Sequence, residues 1–180
     1  MPYSYSDADM VVFRHCQAFY SKTNILDIGA GAGKYSFVLK DVYKSIEAVE
    51  IHKPNIINFN LEVKYSKVYN CDLRNFNFEK TYDLIIMGDV LEHLTVEDSK
   101  KVLGEFKNQC DVLIIVPYMY EQGKEVHAVI ENSYEEHLQP DLTKENMLER
   151  YNSLEELWSN SRCGLYVQRK KVINSLKGKI

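Results

Sequence analysis

Apolar and polar positions along this chain alternate between two rhythms. Short apolar runs of strand length are separated by longer stretches in which apolar residues recur every three or four positions, as on one face of a helix. The runs are Asn24 to Ile28, Ser45 to Val49, a weaker one at Lys67 to Asn70, Tyr82 to Met87, and Val112 to Val116, which Pro117 ends. Asp7 or Asp9 is placed to cap a first helix with Val12, Phe13, Cys16, Phe19 and Tyr20 on one side. A second helix is expected from about Gly33 to Lys40. Lys53-Pro54 opens a third, with proline in the first turn, where its missing N–H costs nothing. Thr95-x-x-Asp98 has the form of a capping box and starts a helix to about Lys107. Thr143 to about Tyr151 reads as helix. Ser153 to Trp158 and Gly164 to Arg169 read as a final antiparallel pair.

Strands alternating with helices predict an α/β domain, a parallel sheet with helices on both faces. The rhythm breaks at residues 118–142, which are polar and aromatic, with Gly123 and Pro140 as breakers. So long a stretch without a clear element, inside a compact domain, reads as a functional lid. The expected organisation is one domain over 1–180, with an N-terminal helix region at 1–21 and a lid insertion at 118–142.

Composition narrows the classes. At 180 residues, 45% hydrophobic and 27% charged, the chain suits one globular domain with its own core. A net charge of −4 argues against a large nucleic-acid footprint. The basic bias is local, in Arg169, Lys170, Lys171, Lys177 and Lys179, and reads as a solvated strand end and tail. Val112 to Val116 is too short to span a bilayer, so no membrane partner is expected. The first residues have no basic and apolar leader pattern. The four cysteines show no CxxC spacing, so neither a zinc site nor a redox motif is indicated, and a reducing cytoplasm is the expected compartment.

The chemistry concentrates where strands end. Ile25-Leu26-Asp27-Ile28-Gly29-Ala30-Gly31-Ala32-Gly33 is a strand running into alternate glycines before a helix. Glycine turns sharply and lets a ligand approach the main chain. Open α/β sheets bind ligands at such carboxyl ends. A dinucleotide fingerprint would need glycine or alanine where Lys34 stands. Glu50 closes the second strand, where a carboxylate can accept ribose hydroxyls. Asp72-Leu73 follows the third, and Gly88-Asp89-Val90-Leu91-Glu92-His93 follows the fourth.

This ordered set resembles class I S-adenosylmethionine (SAM)-dependent methyltransferases of the small-molecule type, whose fourth strand is followed by Asp-Val-Leu-Glu-His. The resemblance implies a Rossmann-like seven-stranded sheet of order 3-2-1-4-5-7-6. It also implies SAM contacts, with S-adenosylhomocysteine as product, from Asp27, Gly29, Ala30, Gly31, Gly33, Glu50, Ile51, Asp72, Leu73, Asp89, Val90 and Leu91. Asp72 would accept from the adenine amino group. Asp89, Val90 and Leu91 would line the methionine end.

The methyl group of SAM is already activated, so the protein mainly aligns donor and acceptor and sheds water. A proton acceptor is needed only for a protonated acceptor such as a hydroxyl. His93 is one candidate. The lid offers Tyr118, Tyr120, His127, Tyr134 and His137, and Asn132-Ser133-Tyr134-Glu135-Glu136-His137 resembles an element of bacterial methyltransferases of glycan and secondary-metabolite pathways. His93, His137 and Tyr134 are therefore the catalytic candidates. No metal constellation emerges, although His127, Glu131, Glu135, Glu136 and His137 lie close in sequence. The absence of an Asn-Pro-Pro-Tyr-like sequence after the fourth strand, with the acidic charge, disfavours nucleic acid as acceptor. The leading expectation is a methyltransferase for a small-molecule acceptor, a sugar or secondary metabolite. The alternatives are a non-catalytic protein binding SAM or S-adenosylhomocysteine and, further off, an NAD-dependent oxidoreductase. The oligomeric state is left open.

Overall fold

Each apolar run becomes a strand. In the computed structural model, which describes residues 6–118 and 134–171, these are β1 (Asn24–Ile28), β2 (Ser45–Val49), β3 (Val68–Tyr69), β4 (Leu84–Gly88) and β5 (Asp111–Pro117). The antiparallel pair is β6 (Leu154–Ser159) and β7 (Cys163–Gln168). Helices α1 (Asp9–Phe19), α2 (Lys34–Val38), α3 (Lys53–Asn58), α4 (Leu61–Lys64), α5 (Val96–Phe106) and α6 (Lys144–Arg150) fill the connections. The strands form one sheet of order β3-β2-β1-β4-β5-β7-β6, the expected one. β1 is parallel to both β2 and β4, β4 to β5 and β2 to β3, while β7 runs antiparallel to β5 and β6.

Strand side chains alternate between faces, which builds two cores. Leu26, Ile28, Ile85, Met87, Val112 and Ile114 face Val102, Leu103 and Phe106 of α5. Ile25, Ile46, Leu84, Ile86, Leu113 and Ile115 face Val12 and Cys16 of α1, Leu39 after α2 and Leu61 of α4. Helices on both faces explain why the central strands read as unbroken apolar runs.

Several local expectations are corrected. The buried stripe of α1 is Ala8, Val12, Cys16 and Tyr20, spaced by four, and Phe19 is 70% exposed. Neither candidate aspartate caps it. Asp7 binds the Arg162 guanidinium at 2.6 Å across the molecule, and Asp9 pairs with Lys34 at 2.7 Å, fastening α1 to α2. β4 starts at Leu84 rather than Tyr82, whose hydroxyl donates instead to the buried Glu47 at 2.5 Å. The helix opened by Lys53-Pro54 is split after Asn58, where Asn60 takes a left-handed φ of 50°. Two 3-10 turns that the patterning missed, Leu73–Asn75 and Leu91–His93, lead away from β3 and β4. Thr95 caps α5 by accepting from the Asp98 N–H at 3.0 Å, as expected. Among the described residues, no helix is long and apolar enough to cross a membrane.

Candidate active site

Between β1 and α2 the chain must reverse direction within a few residues. Gly29, Gly31 and Gly33 do this with φ of 71°, 52° and 84°, a left-handed region that a Cβ makes costly. The alternate spacing of the glycines is thus a backbone requirement. At Gly29 a Cβ would also stand 2.5 Å from Val90 Cγ2. The Gly29 and Ala30 N–H groups donate to the Val49 carbonyl at 2.8 and 3.3 Å, tying the loop to the end of β2.

Glu50 follows Val49 and lies beneath this loop, only 4% exposed. It accepts from the Gly31 N–H at 2.7 Å and the His52 N–H at 2.8 Å. Burial raises its pKa, and the two N–H groups oppose the rise. The Asn55 side chain adds a third hydrogen bond, and since a carboxylate offers about four lone-pair positions, about one remains for a ligand. Asp72 caps the 3-10 turn after β3. It accepts from the Arg74 N–H at 2.9 Å and from the Arg74 guanidinium, which holds its carboxyl below the usual range. Asp89, just past β4, is itself left-handed at φ 52°, and its N–H donates to Ile115 at 3.0 Å. A non-glycine held there is the kind of backbone strain that clusters at ligand sites.

The segment from Tyr134 is built onto the turn that follows β4. The Leu138 and Gln139 N–H groups donate to the Glu92 carbonyl at 2.8 and 3.1 Å. The Gln139 amide donates to the carbonyls of Leu91 and Leu94, both at 2.9 Å. Tyr134 meets His52 edge-on with ring centroids 6.4 Å apart, bridging the cleft mouth. The His137 ring lies against His93 at 4.7 Å between centroids. Burial, with His137 adding to it, pushes the His93 pKa down to about 3, so the imidazole is neutral at physiological pH. Its Nδ1 lies 3.3 Å from the Glu136 carbonyl, where only a donating N–H makes a hydrogen bond.

These parts enclose a cavity of about 750 Å³, its open mouth included, where the strand order reverses between β1 and β4. Of the expected residues, Gly29, Gly31, Glu50, Ile51, Asp72, Leu73, Asp89, Val90, His93 and Tyr134 line it. Asp27, Ala30, Gly33, Leu91 and His137 do not. Asp27 is 1% exposed and accepts from the Tyr65 hydroxyl at 2.5 Å, below the loop. Gly33 begins α2, Leu91 belongs to the core, and His137 stands behind His93. Tyr118 is also away from the cavity, its hydroxyl paired with that of Tyr166 at 2.5 Å inside the core. Tyr120 and His127 lie outside the described residues. Sequence reasoning missed Asn55, Arg74 and Glu135 in the lining. The signal for Arg74 was its spacing two residues after Asp72. Glu135 stood within the Asn132 to His137 element but was given no role of its own, and Asn55 carried no signal that pattern could reveal.

The expectation of no metal constellation weighed only neighbours in sequence around 127–137. The fold instead brings Glu92 and His93 to His137, with one possible ligand atom from each lying within 4.8 Å of the others.

Residues 26–111 match a family model described as a methyltransferase domain. No curated protein sequence matches the chain. Among solved structures, the fold is shared with a SAM-dependent methyltransferase from Clostridium acetobutylicum, with a TM-score of 0.68 at 14% identity over 93% of this chain and 92% of that one. It is also shared with SAM-bound CalS10, an amino pentose methyltransferase of Micromonospora echinaspora, with a TM-score of 0.64 at 13% identity over 94% and 92%. The N-methyltransferase NodS of Bradyrhizobium japonicum gives 0.63 at 13% over 92% and 98%. The chain has the Rossmann-like methyltransferase fold, and its stretch from β1 to the start of β5 matches the methyltransferase domain.

Proposed function

We propose that this protein is a SAM-dependent methyltransferase acting on a small-molecule acceptor, a sugar or secondary metabolite. The observation that carries the reading is the cavity at the β1/β4 switch point, lined by the ends of four successive strands in the order a nucleoside-bearing ligand needs. Gly29 and Gly31 leave room for the ligand against the backbone. Glu50 lines the cavity at the end of β2 and is the carboxylate this reading assigns to the ribose hydroxyls. Leu73 and Val90 supply apolar walls. Asp72 lines the cavity and is the acid this reading assigns to the adenine amino group. Asp89 and Val90 take the methionine end. The match at residues 26–111 and the fold shared with SAM-bound and S-adenosylhomocysteine-bound methyltransferases support the same cofactor.

His93 and Tyr134 are the lining residues we assign to the acceptor, with His137 acting through His93. His93, neutral with a pKa of about 3, helps to orient the acceptor and does not take its proton. Of the expected lid at 118–142, residues 119–133 lie outside the described residues; in this reading the described part that serves the acceptor is Tyr134 and Glu135, which line the cleft. Calorimetry with S-adenosylhomocysteine tests the cofactor assignment. Wild-type protein should bind at micromolar or tighter affinity. Glu50→Gln, which keeps size but loses charge, should weaken binding by about 1–3 kcal/mol. Unchanged affinity in a folded Glu50→Gln protein would remove Glu50 from the ribose.

A further inference from the structure

Glu92, His93 and His137 are brought together from two distant stretches, the turn after β4 and the segment before α6. Glu92 is 2% exposed and His137 4%. Three features of the trio go beyond proximity. First, the donor set is chemically coherent, two imidazoles and a carboxylate with one possible ligand atom from each inside 4.8 Å. Second, the His93 Nδ1–H directed at the Glu136 carbonyl leaves the lone pair on Nε2, which faces the Glu92 carboxylate at 3.8 Å. A ligating histidine is typically oriented in this way, by its other N–H bonded to a backbone carbonyl. Third, the supporting backbone is fixed. The Glu92 carbonyl holds Leu138 and Gln139, and the Gln139 amide holds Leu91 and Leu94, so both ligand-bearing segments are pinned to one another.

We infer that Glu92, His93 and His137 bind a divalent first-row metal ion, zinc or manganese, and leave a coordination position open toward the cavity that His93 lines. Ligand atoms around such an ion lie about 2.0–2.2 Å from the metal and hence roughly 3–3.5 Å from one another. From separations of at most 4.8 Å, side-chain rotation closes the present trio to that spacing. Two imidazoles and one carboxylate with an open position is a catalytic rather than a purely structural donor set. An acceptor hydroxyl reaching the open position from the cavity would be made more acidic. That role rests on the methyltransferase reading. The metal binding itself does not.

The experiment uses the full chain, stripped with chelator and titrated separately with Zn²⁺ alone and Co²⁺ alone. S-adenosylhomocysteine binding is measured in parallel without metal. One ion per chain is expected, with a cobalt spectrum of nitrogen and oxygen ligation. His93→Ala and His137→Ala should each weaken zinc by at least about tenfold, since losing even an outer partner of a metal ligand typically costs 10–100-fold. Circular dichroism confirms that each variant is folded. Should either variant unfold, nitrogen NMR of the wild type decides instead, with zinc required to shift two histidine side chains. Failure to bind, binding that survives in both variants, or thiolate bands in the cobalt spectrum would overturn the site. A protein that binds S-adenosylhomocysteine but no ion loses only the metal. One that binds the ion but not S-adenosylhomocysteine loses the cofactor reading and keeps the metal.

Discussion

Asp27 shows how a residue can sit in a ligand motif and work beneath it. Its carboxyl is fully enclosed, and burial raises its pKa from 3.8 to about 7, against the opposing hydrogen bond from Tyr65 and with the charge of Glu50 adding to the rise. The sign of the linkage follows. A carboxyl whose folded pKa is raised binds its proton more tightly when folded, so its contribution is fully present below the unfolded value and is lost as pH rises through the folded one. Asp27 should therefore make the protein progressively less stable between about pH 4 and pH 7. Asp27→Asn keeps an acceptor for Tyr65 and removes the titration. Its melting temperature minus that of wild type should climb across this interval and level off above it. A difference that stays flat with pH would mean that Asp27 is ionised in the folded protein.

At the scale of elements, the segment after Tyr134 and the turn after β4 behave as one unit. Their joint is the buried Gln139, whose amide also donates to Ser99 at 3.1 Å while its carbonyl accepts from Tyr151 at 2.7 Å and Arg150 at 3.1 Å. Every polar atom of that side chain is used, so Gln139→Glu should leave the Leu91 and Leu94 carbonyls without their donor. A buried group left unsatisfied costs about 1–3 kcal/mol, and thermal unfolding should show a loss at least that large. Hydrogen exchange should rise in 134–142 and in the β4–α5 turn together. If only one of the two loosens, they are not a unit. Strands β1 and β2 could be read to the residue because their apolar runs are bounded by polar turns. Gln139 could not, because its role depends on carbonyls far away in sequence. Phe19 and Tyr82 were misread for a related reason. Apolarity predicts burial but does not choose between a core and another partner, and Tyr82 has a buried carboxylate within reach.

For the whole molecule, the cleft follows from topology. Strand order reverses between β1 and β4, so the loops leaving their carboxyl ends turn to opposite faces and a crevice opens between them. Sequence order alone placed Gly29, Glu50, Asp72 and Asp89 at successive strand ends, which is why their common place in the lining of the crevice was legible. The opposite wall was legible only as candidate residues, since it is formed by the returning segment at Tyr134 and Glu135, whose position against the crevice no periodicity encodes. A ligand that fills the crevice touches β1, β2, β3 and β4 together and must stabilise the domain as a whole. At a concentration of about one hundred times its dissociation constant, the gain is about 2.7 kcal/mol, or roughly 5–10 °C for a domain of this size. S-adenosylhomocysteine should therefore raise the melting temperature by that amount. NAD should leave it unchanged, since Lys34, paired with Asp9, occupies the place where a dinucleotide fingerprint wants glycine or alanine. An equal shift with NAD would turn the crevice into a dinucleotide site, and no shift with either would detach the glycine loop from nucleoside binding altogether.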